Sequence, residues 1–437
     1  MKRFLVACAV MMLGCGTAPS TDAGLEDDAG PRDGGSRDAG HDEDAGMMAD
    51  AGTDGGPLPI LCDAPADGRL DPAGDRTLEI FRADVAADCE GNLAYAWAES
   101  RVATTDTERD VDVWLRLLPA DGGAPGAAIR LTDDAGNAGN PRVAWSGSQW
   151  IVAWSDAAGD PEPVTCFARA PSSCDFEARF AIVDPDGTIA RGPEVLASGE
   201  GTHQVAAVSA DPETGAALFV YIAATDENGD GMADRTDAFG RMMGADGTLA
   251  APQSISRGAT VRNGARMARG AGAYWISYIA GGSLTTARWP DGAAMSDTPT
   301  PRMITGWVSQ IAAAQDGRLA LWVNEGTDSS MTDQRLLVLS PSGVVRSQTA
   351  LEVVHGGGGP GMAWIGGRLF VSDRDGTGGV IELVELDPNG GGELGRSTIL
   401  ESGAAGLFNG FDATSAGEAF VFEANNRFEQ LLNVHRP

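Results

Sequence analysis

The chain has 437 residues, 62 acidic against 31 basic, and a formal net charge of −31. So large an acidic excess argues against nucleic acid and anionic lipid headgroups as partners, because both need a basic footprint. It leaves divalent cations and basic partners open. The N-terminus reads Met1-Lys2-Arg3 and then runs apolar from Phe4 to Leu13. A charged start followed by an apolar run of about eleven residues has the form of a signal peptide. The run is too short to cross a bilayer, which takes roughly 20 apolar residues.

Met12-Leu13-Gly14-Cys15 resembles the lipobox of bacterial lipoproteins. The resemblance implies diacylglyceryl transfer to the Cys15 sulfur and cleavage after Gly14. Residues 1–14 are therefore expected as a lipoprotein signal peptide and Cys15 as the lipidation site. The membrane is then a partner through the N-terminal lipid, and the expected location is the outer membrane of a cell envelope. A plain secretory signal is the alternative. Several acyl chains anchor stably, since each buried CH₂ adds about 0.8 kcal/mol.

Residues 15–57 are a different material. Asp-Ala-Gly recurs at 22, 28, 38, 44 and 50, and Asp-Gly-Gly at 33 and 54. There are no aromatics, and Leu25, Met47 and Met48 are the only larger apolar groups. Such a segment cannot bury enough surface to offset backbone entropy and is expected as a disordered tether. A metal-sequestering tail is the sharper alternative. The composition resembles tethers of lipoproteins from high-GC predatory or soil bacteria, and Lys2 as the only lysine fits high GC. Residues 58–437 are expected as the folded domain. Its cysteines are Cys62, Cys89, Cys166 and Cys174. In an oxidising compartment four cysteines suggest two disulfides with three possible pairings. Cys166–Cys174 closes a short loop and Cys62–Cys89 staples an N-terminal arm, so these two are favoured; free buried thiols are the alternative.

A periodic unit runs through this domain. Its first marker is an apolar residue followed by alanine, as in Val85-Ala86, Val143-Ala144 and Ile311-Ala312. Its second is an alternating strand ending in an aromatic, as in Ala94-Tyr95-Ala96-Trp97, Ile151-Val152-Ala153-Trp154 and Leu319-Ala320-Leu321-Trp322. A glycine stands before each second strand, as a tight hairpin turn requires. A third strand ends in turn pairs such as Asp121-Gly122, Asp186-Gly187 and Asp246-Gly247. A short fourth strand follows, at Ile129-Arg130-Leu131, Val195-Leu196, Ser254-Ile255, Met303-Ile304, Ala350-Leu351 and Ile399-Leu400. The fold class is all-β: a β-propeller with seven four-stranded blades, a monomer. The seventh copy lacks its fourth strand, and Thr77-Leu78-Glu79-Ile80 reads as the N-terminal strand that closes the ring. A six- or eight-bladed ring and a two-sheet sandwich are the alternatives.

Arg130-Leu131-Thr132 followed by Asn140-Pro141-Arg142-Val143-Ala144-Trp145-Ser146 resembles the junction of WD40-like repeats of the TolB type. The overall pattern resembles divergent propeller lipoproteins of myxobacteria.

Asp226-Glu227-Asn228-Gly229-Asp230-Gly231-Met232-Ala233-Asp234-Arg235-Thr236-Asp237 resembles the calcium loop of EF-hands, dockerins and thrombospondin type 3 repeats. Alternate oxygens at Asp226, Asn228 and Asp230, a sharp turn at Gly231 and the Met232 carbonyl suit one hard cation. Asp234 and Asp237 complete the expected set. A structural Ca²⁺ pinning a rim loop is the expectation; a solvated polar turn is the alternative.

The strand-end aromatics recur at one register and are expected to pack between blades, while Trp114, Trp150, Trp289 and Trp307 fall outside it and are the surface candidates. No catalytic motif stands out. The four histidines share no zinc-like spacing, and there is no nucleophile elbow or phosphate loop. Asp156, Asp184 and Asp373 could in principle pair carboxylates across a channel for glycoside hydrolysis. The expected function is thus a non-catalytic, calcium-stabilised propeller that binds a protein or glycan. A carbohydrate-active hydrolase and a purely structural envelope protein are the alternatives.

Overall fold

The computed structural model describes residues 68–70, 80–103, 109–134, 137–158, 160, 174–199, 201–225, 234–270, 272–291, 295, 300–301, 306–314, 316–325, 333–351, 361–374, 380–389, 392–401, 410–416, 419–425 and 430–435. The chain divides into two units, 1–57 and 58–437, and every described residue belongs to the second. Among the described residues no helix is long and apolar enough to cross a membrane.

A three-residue strand, β1 (Gly68–Leu70), comes first. Four-stranded antiparallel sheets then follow in chain order. The first holds β2 (Ile80–Ala87), β3 (Leu93–Ala103), β4 (Arg109–Leu118) and β5 (Ile129–Arg130). The second holds β6 (Ala138–Trp145), β7 (Trp150–Asp156), β8 (Glu177–Val183) and β9 (Ile189–Ala197). The third holds β10 (Thr202–Ala210), β11 (Ala217–Thr225), β12 (Arg235–Met243) and β13 (Gln253–Ser254). The fourth holds β14 (Val261–Gly270), β15 (Ala273–Ala280), β16 (Ser283–Pro290) and β17 (Thr300–Pro301). The fifth holds β18 (Gly306–Ala313), β19 (Leu319–Glu325), β20 (Asp333–Leu339) and β21 (Val345–Leu351). The sixth holds β22 (Met362–Ile365), β23 (Arg368–Arg374), β24 (Val380–Leu386) and β25 (Glu393–Glu401). The last holds β26 (Gly410–Ala416), β27 (Ala419–Asn425) and β28 (Gln430–His435), with β1 as its fourth member.

Within each sheet the strands lie in sequence order. The first strands of successive sheets touch one another in turn, and β26 touches β2. This is a β-propeller, with the first strand of each blade innermost. β1 pairs with β28 through Gly68↔Val434, Arg69↔Asn433 and Leu70↔Leu432. The outer strand of the last sheet therefore comes from the N-terminal side of the domain, but not from the expected segment. Ile80 opens β2 instead, and residues 77–79 lie outside the described residues.

The core lies between blades. One cluster joins Ala94, Ala96, Val113 and Leu115 of the first sheet to Val143, Val152 and Trp154 of the second. Another joins Ile151 and Phe180 of the second to Phe219 and Tyr221 of the third. A second strand covered on both faces is buried at every position, as β7 is from Trp150 to Asp156. The strand-end aromatics Trp97, Trp154, Tyr221, Tyr278 and Trp322 are at most 4% exposed, as inter-blade packing requires.

The same rule corrects the surface expectation for Trp150 and Trp289, each 1% exposed. Both faces of a blade are covered, so a change of register moves a residue to the other packed face and not into water. Trp114 is half-buried and stacks on Trp97 at 6.4 Å. Trp307 falls among residues whose side chains are not described.

Glycines shape the joints. Gly147, in the β6–β7 turn, has φ of +91°, and a Cβ there would stand 2.0 Å from the Pro212 carbonyl oxygen of the next blade. Gly240 in β12 has ordinary backbone, but a Cβ on it would meet Trp289 Cζ3 at 2.3 Å. The missing side chain leaves the space that the buried indole of the next blade fills. Overpacking a closed core costs about 1–3 kcal/mol or more. Gly240→Ala is expected to lower the urea midpoint accordingly, and Gly240→Ala with Trp289→Phe to recover part of the loss.

The fourth strands fall where the turn signals place them in five sheets. In the fourth sheet, β17 is Thr300–Pro301, ahead of the expected Met303-Ile304. Cys89 is a free, half-buried thiol, so the expected Cys62–Cys89 bridge is not made. Cys89 sits in the β2–β3 turn, which Asp88 already closes by accepting from the backbone N–H of Glu90 and Asn92, both at 2.8 Å. Cys174 is disulfide-bonded and fully buried. Cys166, its expected partner, and Cys62 lie outside the described residues, as does Cys15.

Candidate functional site

The two faces of the propeller differ in chemistry. On one lie the turns from first to second strand and the connections from third to fourth. On the other lie the connections from second to third strand and from each blade to the next. Buried polar groups collect on this second, loop face: Glu99, Asp112, Asp156, Asp237 and Asn324 are all under 8% exposed.

Glu99, Asp112, Asp156 and Asp237 each accept from a donor of their own blade. Residues two apart on a strand share a face. Trp97 Nε1–H therefore donates to Glu99 Oε2 at 2.9 Å, and Trp154 Nε1–H to Asp156 Oδ2 at 3.0 Å. Asp156 also accepts from the Ala158 backbone N–H at 2.9 Å, with Arg179 Nε 3.9 Å away.

A second device recurs at the start of third strands. Thr132 Oγ1 donates to Asp112 Oδ1 at 2.9 Å and accepts from the Val113 N–H at 3.0 Å. In the third sheet, Ser256 Oγ donates to Asp237 Oδ1 at 3.1 Å and accepts from the Ala238 N–H at 3.1 Å. Arg130 pairs with Asp112 at 3.1 Å and Arg235 with Asp237 at 2.6 Å. The fourth strands beside them, β5 and β13, have two residues each. A hydroxyl bridge takes over where so short a ladder stops. The sequence carries the signal as Leu131-Thr132 and Ile255-Ser256 after the fourth strand, which the turn and aromatic markers did not pick out.

Asp237, one of the expected calcium ligands, takes part in this second device. It is 6% exposed, paired with Arg235, and turned toward Ser256. Asp234 is exposed, and its N–H donates to the Thr225 carbonyl at 2.9 Å. Asp226, Asn228, Asp230 and Met232 lie outside the described residues. Among the described residues no group of three His, Cys, Asp or Glu is placed to hold a metal.

The carboxylate pair considered for hydrolysis does not converge. Asp156 ends β7 on the loop face, whereas Asp184 follows β8 on the turn face, where it accepts from Gln149 Nε2 at 2.7 Å. Seven residues of strand, about 20 Å, separate the two ends. The Asp373 side chain is not described.

On the channel wall, Arg142 of β6 spans three inner strands. Its Nη1 lies 4.0 Å from Asp84 Oδ1 of β2, and its Nε donates to the Ala206 carbonyl of β10 at 3.1 Å. Asp84 Oδ2 accepts the Val143 N–H at 2.8 Å. At the start of β10, the His203 backbone N–H donates to the Phe176 carbonyl at 2.7 Å, and burial pushes the His203 imidazole pKa down.

On the turn face, Arg269 Nη2 meets Asp211 Oδ1 at 2.8 Å and Asp291 Oδ2 at 2.6 Å. Asp291 Oδ1 and Arg269 Nε are buried with no partner among the described residues. Burial raises the Asp291 carboxyl more than Arg269 lowers it; Asp211 adds to the rise and Arg288 opposes it. A carboxyl whose folded pKa lies above its unfolded value, about 3.9, loses stability as pH rises from that value through the folded one. Its cost therefore grows as pH rises above about 3.9. Asp291→Asn is expected to gain on the wild type as pH rises from 4 to 7, read as the difference between urea midpoints; a constant difference would contradict this.

No family model matches the chain, and no curated protein is similar at a significant level. Among solved structures, a neuraminidase-like protein from A/bat/Guatemala/164/2009 aligns with 9% identity over 86% of this chain and 96% of its own, at a TM-score of 0.43. A subtype N10 neuraminidase-like protein of A/little yellow-shouldered bat/Guatemala/060/2010 gives 9% identity over 86% and 99%, at 0.43. A subtype N11 neuraminidase-like protein of A/flat-faced bat/Peru/033/2010 gives 10% identity over 86% and 95%, at 0.42. Likeness at this level assigns neither activity nor ligand.

Proposed function

We propose that this chain is a cell-envelope lipoprotein, held by lipid on Cys15, that presents its propeller as a non-catalytic module for binding a glycan or a protein. The observation that carries the reading is how the buried carboxylates are used. Glu99, Asp112, Asp156 and Asp237 each accept from a donor in their own blade. A general acid or nucleophile must instead present its oxygens to a substrate. Propellers serve binding and catalysis alike, so the argument rests on these residues and not on the fold. A calcium ion held by Asp226, Asn228, Asp230, the Met232 carbonyl and Asp234 belongs to this proposal as a structural element of the β11–β12 connection.

The test is a glycan array and an envelope-protein pull-down with the full chain, followed by product analysis on whatever is retained. Retention without turnover is expected. Release of sugar products would overturn the reading in favour of a hydrolase, and retention of nothing would favour the structural role. Palmitate labelling should be lost in Cys15→Ser; unchanged labelling would remove the anchor.

A further inference from the structure

The outer edges of the blades are not alike. β5, β13 and β17 have two residues each and β1 three, whereas β9, β21 and β25 have seven to nine. Among the described residues, every exposed large apolar side chain lies on one of these long fourth strands or in the turn leading to it. They are Ile189 and Val195 in the second sheet, Val344 and Val345 in the fifth, and Leu394 in the sixth. An edge strand offers unpaired N–H and C=O groups to another strand, and proteins blunt such edges with proline, charge or bulges. β9 has Pro193, which lacks an N–H, and three shifts of register. β25 has two shifts and is charged at Glu393, Arg396 and Glu401, with Arg396 paired to Glu393 at 2.8 Å.

β21 is open by comparison. It has no proline, one charged residue, Arg346, and one shift of register, at that residue. From Ser347 to Leu351 its ladder to β20 is unbroken, and no described strand pairs with its other side. Ser347 Oγ donates to the Pro388 carbonyl of the next blade at 3.2 Å, which holds the strand in place. Gln348 and Ala350 are exposed. The local charge is also unusual. Across the chain acids outnumber bases 62 to 31, yet residues 334–351 contain no acid and two arginines. Two copies of a chain at −31 repel one another over most of their surface. At the β20–β21 hairpin no acid of one copy would meet an acid of the other.

We propose that β21 is a self-association edge, which pairs antiparallel with β21 of a second copy and joins two four-stranded sheets into one. The unbroken run from Ser347 to Leu351 sets the register, with Thr349 at its centre. Thr349 lies opposite Thr349 of the second copy, Gln348 opposite Ala350, and Ser347 opposite position 351. Residue i meeting j while j meets i is what a two-fold interface requires. No charge falls within the run, and Thr–Thr pairs are favourable across strands. Antiparallel pairing turns one blade end over end relative to the other, so the loop faces of the two rings point in opposite directions. Both faces stay open to a ligand. The pair takes the place of the expected monomer.

The experiment is sedimentation equilibrium of the full chain in a density-matched detergent over the micromolar range. The variants are Gln348→Lys with Ala350→Lys, and Gln348→Glu with Ala350→Glu. Both positions are exposed, so the fold tolerates either pair. The wild type is expected to dimerise. Each variant sets like charges directly opposite one another twice and is expected to weaken the dimer roughly tenfold. An equal mixture of the two variants is expected to restore it as a heterodimer, which also shows that both are folded. A dimer that neither variant weakens would overturn β21 as the site, and so would a mixture no stronger than the variants alone. A wild type that stays monomeric throughout would overturn self-association. If that monomer bound an alternating Thr-Val octapeptide, the edge would belong to a foreign strand and not to a second copy.

Discussion

Trp154→Ala is expected to cost about 3–5 kcal/mol, the usual range for removing a large aromatic from a closed core. Trp154 is fully buried in β7 and packs in the cluster that joins the first two blades. Neither blade can close over the space it leaves, because each is fixed by its own hydrogen-bonded ladder. The indole also donates to Asp156, which is 1% exposed. Truncation therefore leaves a buried carboxylate short of a donor, with the Ala158 N–H and the more distant Arg179 remaining. Losing a hydrogen bond to a buried charge adds about 1–3 kcal/mol to the cavity term. Trp154→Phe separates the two: it keeps most of the ring and loses the donor, so it should fall between wild type and Trp154→Ala. Trp145→Ala, at a half-buried position, should cost less than either. Equilibrium urea melts decide the order. A Trp154→Ala loss below about 1 kcal/mol would mean the junction relaxes in a way that close-packed interiors do not.

The aromatic register was legible because inter-blade packing demands one large group at the same place in each second strand. The turn glycines were legible because positive φ leaves few alternatives. Gly91, Gly147, Gly215, Gly272, Gly317 and Gly367 all adopt it. The closing strand was not legible. β1 is three residues long, and its partner β28 lies more than 350 positions away in sequence. Nothing local marks Gly68-Arg69-Leu70 as a strand, while Thr77–Ile80 alternates and borders β2. Trp150 and Trp289 were misplaced for a related reason. Period-two reasoning assigns one face to water, and a blade inside a ring has none. The polar devices of the loop face were harder still. Asp112 and Thr132 stand 20 residues apart, and Asp237 and Ser256 stand 19 apart. Their relation appears only once the third strand and the end of the fourth are neighbours. Asp237 shows the resulting ambiguity: the last position of an acidic loop is also the first turn inward of a strand.

That ambiguity yields the other large effect. Asp237→Ala is expected to destabilise the protein by about 3 kcal/mol, because breaking a buried pair leaves its partner groups uncompensated. Ser256 would lose its acceptor, and the Ala238 N–H would depend on a hydroxyl no longer oriented by the carboxylate. Arg235 is largely exposed, so its lost ion pair contributes little of this. Asp112→Ala should behave alike, since Asp112 is fully buried and accepts from the Thr132 hydroxyl, which in turn accepts from the Val113 N–H. The decisive comparison is with Asp230→Ala. If the loop holds calcium, EDTA lowers the melting temperature of the wild type, and Asp230→Ala removes the EDTA effect while matching the EDTA-treated wild type. Asp237→Ala should instead lose stability in calcium and in EDTA alike, and keep the calcium response of the wild type. Were Asp237→Ala to abolish that response, Asp237 would be a ligand and its contacts with Ser256 and Arg235 would have to yield when the ion binds. Were the wild type indifferent to EDTA, the calcium proposal would fall and the strand role of Asp237 would stand alone.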